Sequence, residues 1–271
     1  MTHGRSSSPV IQTHHLRRVF GEIVAVDDLL LTVDHGCIFG LLGPNGAGKS
    51  TTVKMLTTLL PPTAGRAIVA GFDVVHEAAQ VRRHIGYVPQ MLSADGGLTG
   101  WENLSLSAKL YRIPRSERAE RIRAALAFME LEDAAGHLVR TFSGGMIRRL
   151  ELAQAMLHQP QVLFLDEPTI GLDPVARLAV SERLLDLKRR TGMTILLTTH
   201  DMEEADALCD SLAIMHQGAV VALGRPAELK AAIGEQATLE DVFIHFAGGA
   251  IEEGGTYGDV RRLRSTARRL G

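Results

Sequence analysis

The segment Gly43-Pro44-Asn45-Gly46-Ala47-Gly48-Lys49-Ser50 constrains this chain more than any other, because its glycines, lysine and hydroxyl belong between a strand and a helix. It follows the continuous apolar run Ile38 to Leu42, which reads as a buried parallel strand. It precedes Lys49 to Leu59, whose pattern predicts a helix stopped by Pro61 and Pro62. The glycines let the backbone curl so that successive N–H groups face an anion, and the positive end of the helix adds to that field. The full P-loop pattern in this setting predicts a site for a nucleoside triphosphate. Lys49 bridges its β- and γ-phosphates, and Ser50, followed by Thr51, supplies a hydroxyl for Mg2+.

The rest of the chain has to supply a sheet for that strand. Apolar runs return at Val162 to Leu165, Thr194 to Thr198, Leu212 to Met215 and Ala219 to Leu223, separated by helical stretches, which predicts a mainly parallel α/β sheet. Leu29, Leu31 and Val33 alternate with more polar positions as in a half-buried strand, and Val69 and Ala70 lead into Gly71 as part of an outer, antiparallel portion. Between them Trp101, Leu104, Ala108 and Tyr111, then Ala119, Ile122, Leu126 and Met129, recur at helical spacing, so residues 91–159 are expected to form an inserted helical subdomain. Hydrophobic residues make up 45% of the 271, enough to bury such a core.

A phosphate cradle alone does not say what becomes of the phosphate. Val162 to Leu165 ends in Asp166 and Glu167, a buried strand delivering two adjacent acids: Asp166 to hold the Mg2+ shell, Glu167 to polarise a water against the γ-phosphate.

With these pieces in order, Thr141-Phe142-Ser143-Gly144-Gly145-Met146 resembles the signature motif of ABC-type ATPases, lying as in that family just ahead of the acidic strand. The resemblance spans about residues 10–225 and implies that Ser143, Gly144 and Gly145 open a helix facing the γ-phosphate of ATP held by a second copy. It further implies that Gln90 contacts Mg2+ and water and signals to a membrane partner, that Gly171-Leu172-Asp173 joins the two sites, that His200 contacts the γ-phosphate, and that Phe20 stacks on adenine. The family often carries Gln where this chain has Met146, which lacks an amide's hydrogen bonds. Met146, the segment Thr199-His200-Asp201-Met202-Glu203-Glu204-Ala205 and the segment Thr238-Leu239-Glu240-Asp241-Val242-Phe243 resemble the daunorubicin/doxorubicin-resistance branch and its nodulation-factor relatives. That branch implies an exporter ATPase, peripheral on the cytoplasmic face of the cell membrane, working as an ATP-dependent homodimer with a separate transmembrane permease. The expected division is a tail at 1–9, the ATPase domain at 10–225 and a short C-terminal extension at 226–271; fuller members of the branch run on well past the last segment.

Other readings fit less well. A net charge of -2, from 29 Lys and Arg against 31 Asp and Glu, argues against a nucleic-acid binder. A soluble ATPase of this type acting on ribosomes or DNA would carry a second P-loop or a heptad insertion, and this chain has one P-loop and no heptads. A P-loop kinase has no use for the Ser143 element. Met1 to Pro9 lacks an apolar signal-peptide core, and no run approaches the roughly 18 apolar residues of a membrane helix, so a membrane role requires a partner. Cys37 and Cys209 read as two reduced core thiols; His14 and His15 are adjacent and do not converge on a metal. The arginines between Arg261 and Arg269 read as a solvated end, with contact to anionic lipid as the alternative.

Overall fold

The structure, a computed structural model, describes residues 9–252; the Arg261 to Arg269 stretch lies outside them. The chain forms a six-stranded sheet that carries the functional motifs and a four-stranded antiparallel sheet that covers one side. In the larger sheet, β3 (Ile38–Leu42), β6 (Ile85–Val88), β7 (Val162–Asp166), β8 (Thr194–Thr199), β9 (Ser211–His216) and β10 (Ala219–Gly224) take the order β10-β9-β3-β8-β7-β6. All neighbours are parallel except the β9–β10 hairpin. Every residue of β3, β7 and β8 is buried, because helices cover one face and the second sheet, together with the helix after the glycine loop, covers the other. That double burial is why these strands read as continuous apolar runs.

The smaller sheet runs β2-β1-β4-β5, from β1 (Ile11–Phe20), β2 (Ile23–Val33), β4 (Ala64–Val69) and β5 (Phe72–Asp73). It packs Ile11, Leu16, Leu29, Leu31 and Val69 against Phe39, Leu41, Phe164 and Leu196 from the parallel sheet. A second core on the opposite face joins Ile38, Leu163 and Leu197 to the helical segment: α3 (Gly100–Leu110), α4 (Arg115–Phe128) and α5 (Gly144–Met156). Leu104 and Ala108 of α3, Ile122 and Leu126 of α4, and Met129 at the end of α4 are the buried members of the helical pattern. Thr99 and Glu102 close a capping box at the start of α3, with the Thr99 backbone N–H and the Glu102 backbone N–H each donating to the other's side chain. Helix α7 (Met202–Leu208) and the C-terminal helices α8 (Pro226–Ala231) and α9 (Leu239–Glu252) bury Ala205, Leu208, Leu229, Leu239 and Val242 in this same core, whereas α2 (Ala78–His84) buries Val81 in the core under the smaller sheet.

Two local expectations differ from what is found. The helix after the glycine loop, α1 (Lys49–Leu56), ends before the prolines. Thr57 donates its hydroxyl back to the Val53 carbonyl, and Thr58 turns left-handed at φ 65, so the chain leaves the helix three residues early. Of the two cysteines only Cys209 is in the core, under Gly40, where an added Cβ would stand 2.7 Å from its sulfur. Cys37 is half-buried and donates to the Asp34 carbonyl; burial, then Asp210 and Asp34, push its pKa up to about 11. Both are free thiols.

Candidate functional site

Strand order brings the motifs together. Leu42 pairs with Thr199, Thr198 with Asp166, and Leu165 with Val88, so the carboxyl ends of β3, β8, β7 and β6 form one edge. From that edge emerge the glycine loop, His200, the acid pair and Gln90. This is where open α/β sheets bind ligands.

The loop 43–48 wraps the start of α1. Gly48, at the N-cap, has φ 102, and a Cβ there would lie 2.4 Å from the Ala25 carbonyl oxygen; only glycine fits both the dihedral and the space. Pro44 accepts from the Ala47 N–H, while Asn45 and Gly46 are exposed and Ala47 is buried. Lys49 is 4% exposed, with its Nζ donating to the Gly43 carbonyl at 2.6 Å and the Pro44 carbonyl at 3.2 Å. Burial pulls its pKa down, and the charge of Glu167, 3.5 Å away, opposes that. A buried ammonium held by carbonyl oxygens is poised to exchange them for stronger anionic acceptors.

The acids are held from two sides. Asp166 Oδ1 accepts from Ser50 Oγ at 2.9 Å and from Thr198 Oγ1 at 2.7 Å. Thr198 Oγ1 in turn accepts from the Glu167 N–H at 2.9 Å. Glu167 adopts φ 48, a left-handed conformation that costs a non-glycine residue about 1 kcal/mol or more and persists only where neighbours enforce it. That turn aims its carboxylate, 5% exposed, at three groups: Lys49, the Gln90 amide at 3.4 Å and His200 Nδ1 at 3.3 Å. Gln90 and the His200 side chain are themselves exposed, so this face opens to solvent. Thr198 was legible only as part of an apolar strand; its double role at Asp166 and Glu167 is visible only in the structure.

Ser143, Gly144 and Gly145 stand apart. Ser143 is the N-cap of α5 and accepts from the Met146 N–H at 3.2 Å; Ser143 and Gly144 are exposed. Among the described residues no hydrogen bond links the three to Lys49, Ser50, Asp166 or Glu167. Met146 turns its side chain onto the helical core. Asp173 caps α6 (Pro174–Thr191), accepting from the Val175 and Ala176 N–H groups, so its carboxylate is committed within its own helix. Gly145 is buried where α5 meets α6, and an added Cβ would stand 2.7 Å from Ala176 Cβ. Gly145→Ala is therefore expected to destabilise the fold by about 1–3 kcal/mol through overpacking, read as a lowered midpoint in denaturant unfolding. Phe20, at the end of β1, is 44% exposed, with the Arg18 guanidinium 4.5 Å from its ring centroid.

Comparison with known proteins gives the family. The family model described as ABC transporter matches residues 26–170. The chain is 44% identical over 220 residues to the Nod factor export ATP-binding protein I of Cupriavidus metallidurans, covering 81% of this chain and 72% of that one. It is 45% identical over 224 residues to the daunorubicin/doxorubicin resistance ATP-binding protein DrrA of Streptomyces peucetius, covering 83% and 68%. A solved structure of an ATP-binding subunit of an ABC transporter superposes with a TM-score of 0.78 at 30% identity, over 88% of this chain and 99% of that one. The chain belongs to the ABC transporter family, as one of its ATP-binding, ATP-hydrolysing members.

Proposed function

We propose that two copies of this chain pair head to tail, clasp ATP between the glycine loop of one and Ser143, Gly144 and Gly145 of the other, and energise export through a separate permease. The observation that carries this reading is the half-built site: a buried lysine and a carboxylate converge at one edge, while the exposed helix terminus that would complete the phosphate shell lies elsewhere on the same chain. A second copy would bring a helix N-terminus of the signature type to a phosphate held by Lys49.

Within one half-site, Lys49 and the loop N–H groups hold the phosphates, Ser143 of the second copy donates to the γ-phosphate, and Phe20 stacks on adenine. Glu167 takes a proton from the water that attacks the γ-phosphorus, with Gln90 and His200 orienting that water, and Asp173 setting the start of α6 beside the signature helix. Ser50 and Asp166 already share a hydrogen bond and offer hard oxygen donors, a set that suits Mg2+, and Gln90, whose amide lies 3.4 Å from Glu167, would add a further oxygen. Bound there, Mg2+ supplies charge neutralisation at the phosphate oxygens. We assign this ATPase unit to residues 10–225, with 91–159 as its helical part and 226–271 as an extension.

Among the described residues no helix is long and apolar enough to cross a membrane. Met91 and Leu92, next to Gln90, and Leu106 and Leu110, one turn apart on α3, are exposed. Exposed apolar side chains next to Gln90 and along α3 support a docked permease and a place at the membrane's cytoplasmic face. The names of the two relatives support a drug-like or lipid-like cargo. The reading is tested by ATPase assays over a range of protein concentrations: activity per chain is expected to rise as copies pair and to vanish on chelating Mg2+. Activity per chain independent of concentration would contradict the shared site.

A further inference from the structure

Helix α5 lines its inner side with Leu150, Leu152, Ala153 and Ala155, yet it also buries Arg148 and Glu151, 1% and 3% exposed. Two ions in an apolar core are costly to desolvate, and apolar residues of similar volume would stabilise the fold as well or better. What the two side chains hold is a single backbone segment. Arg148 donates to the Pro89 carbonyl at 2.7 Å and the Gln90 carbonyl at 2.8 Å, and to Glu151 Oε2 at 2.9 Å. Glu151 Oε1 accepts from the Ser93 N–H, from Ser93 Oγ at 3.0 Å and from the Ala94 N–H at 3.3 Å. The loop is thus gripped on both sides of Gln90, the residue whose amide lies 3.4 Å from Glu167.

The same helix begins with Ser143, Gly144 and Gly145. We propose that Arg148 and Glu151 are positioning residues that lock segment 89–94 onto the signature helix, so that the Gln90 amide meets Glu167 only in register with that helix. The inference rests on the reading of Glu167 and Gln90 given above. A guanidinium suits the task because its planar fork reaches two carbonyls and a carboxylate at once, which a lysine ammonium cannot do in the same directions. Burial pulls the guanidinium's pKa down, and the charge of Glu151 counters it.

The test uses the full chain with Arg148→Lys, Gln90→Ala and the combination of the two. Arg148→Lys is expected to lower kcat by about tenfold or more while leaving KM for ATP within about twofold. In the Gln90→Ala background the same change is expected to cost nothing further, because the group it positions is gone. Multiplying losses would overturn the inference and leave the reading of Gln90 intact; a Gln90→Ala chain with parental kcat would overturn both. Should Arg148→Lys fold poorly, the paired change Arg148→Met with Glu151→Leu removes both charges at once and is expected to show the same kcat loss. Hydrogen exchange at Ser93 and Ala94 should then quicken while α5 stays protected; unchanged exchange there would contradict the grip.

Discussion

Replacing Glu167 with Gln leaves ATP bound and slows turnover by about 100-fold or more, the scale a positioned general base contributes. Gln is close to isosteric, so the left-handed turn at φ 48 and the Thr198 contact to its N–H are kept. Lost is the carboxylate that would take the proton in the space between Lys49, Gln90 and His200. Removing a negative charge 3.5 Å from Lys49 also lowers repulsion toward incoming phosphates, so affinity for ATP holds or rises. Phosphate release under steady state and nucleotide titration together check this. A variant that hydrolyses at the parental rate sinks the assignment of the base.

Lys49→Ala has the opposite signature: binding fails before chemistry does. The ammonium is desolvated and held only by two carbonyl oxygens and the edge of one carboxylate, with its pKa pulled down by burial. Phosphate oxygens repay that desolvation; an alanine offers them nothing. Truncating a buried charge-assisted contact costs about 2–5 kcal/mol, which here means ATP affinity weaker by about 30-fold to several thousand-fold. The folded chain without nucleotide loses little, because the lysine's burial is itself unfavourable. Thermal unfolding near the parental midpoint, together with collapsed nucleotide binding, is the expected pair of results. Unchanged affinity would remove the lysine from the cradle.

How much of this was legible depended on whether local pattern and tertiary burial agreed. β3, β7 and β8 were plain because both faces are covered, so burial is written at every position. The cap of α5 was legible through the family resemblance and the order of the motifs, not through Ser143 and its two glycines alone, because glycines leave the backbone free to take many paths. β1 was not: its Ile-Gln-Thr-His-His segment is polar, His15 turns left-handed at φ 50, and the register slips between Thr13 and Leu16. It is a strand because β2 and β4 pair on either side of it, which no local window shows. The end of α1 was misread because prolines are louder in a sequence than a threonine hydroxyl returning to its own helix. The positions of Lys49, Asp166, Glu167, His200 and Gln90 followed from motif order. That they meet follows from strand order, which the sequence does not carry. Arg148 and Glu151 carry no local sign of burial, since two charged residues three apart on a helix are most often solvated; their burial is visible only in the structure.

The central claim is that ATP sits between two copies. Size-exclusion chromatography of the full-length Glu167→Gln chain, with and without ATP and Mg2+, tests it most directly. A nucleotide-dependent shift from monomer to dimer is the predicted result. A chain that stays monomeric with ATP demonstrably bound would contradict it.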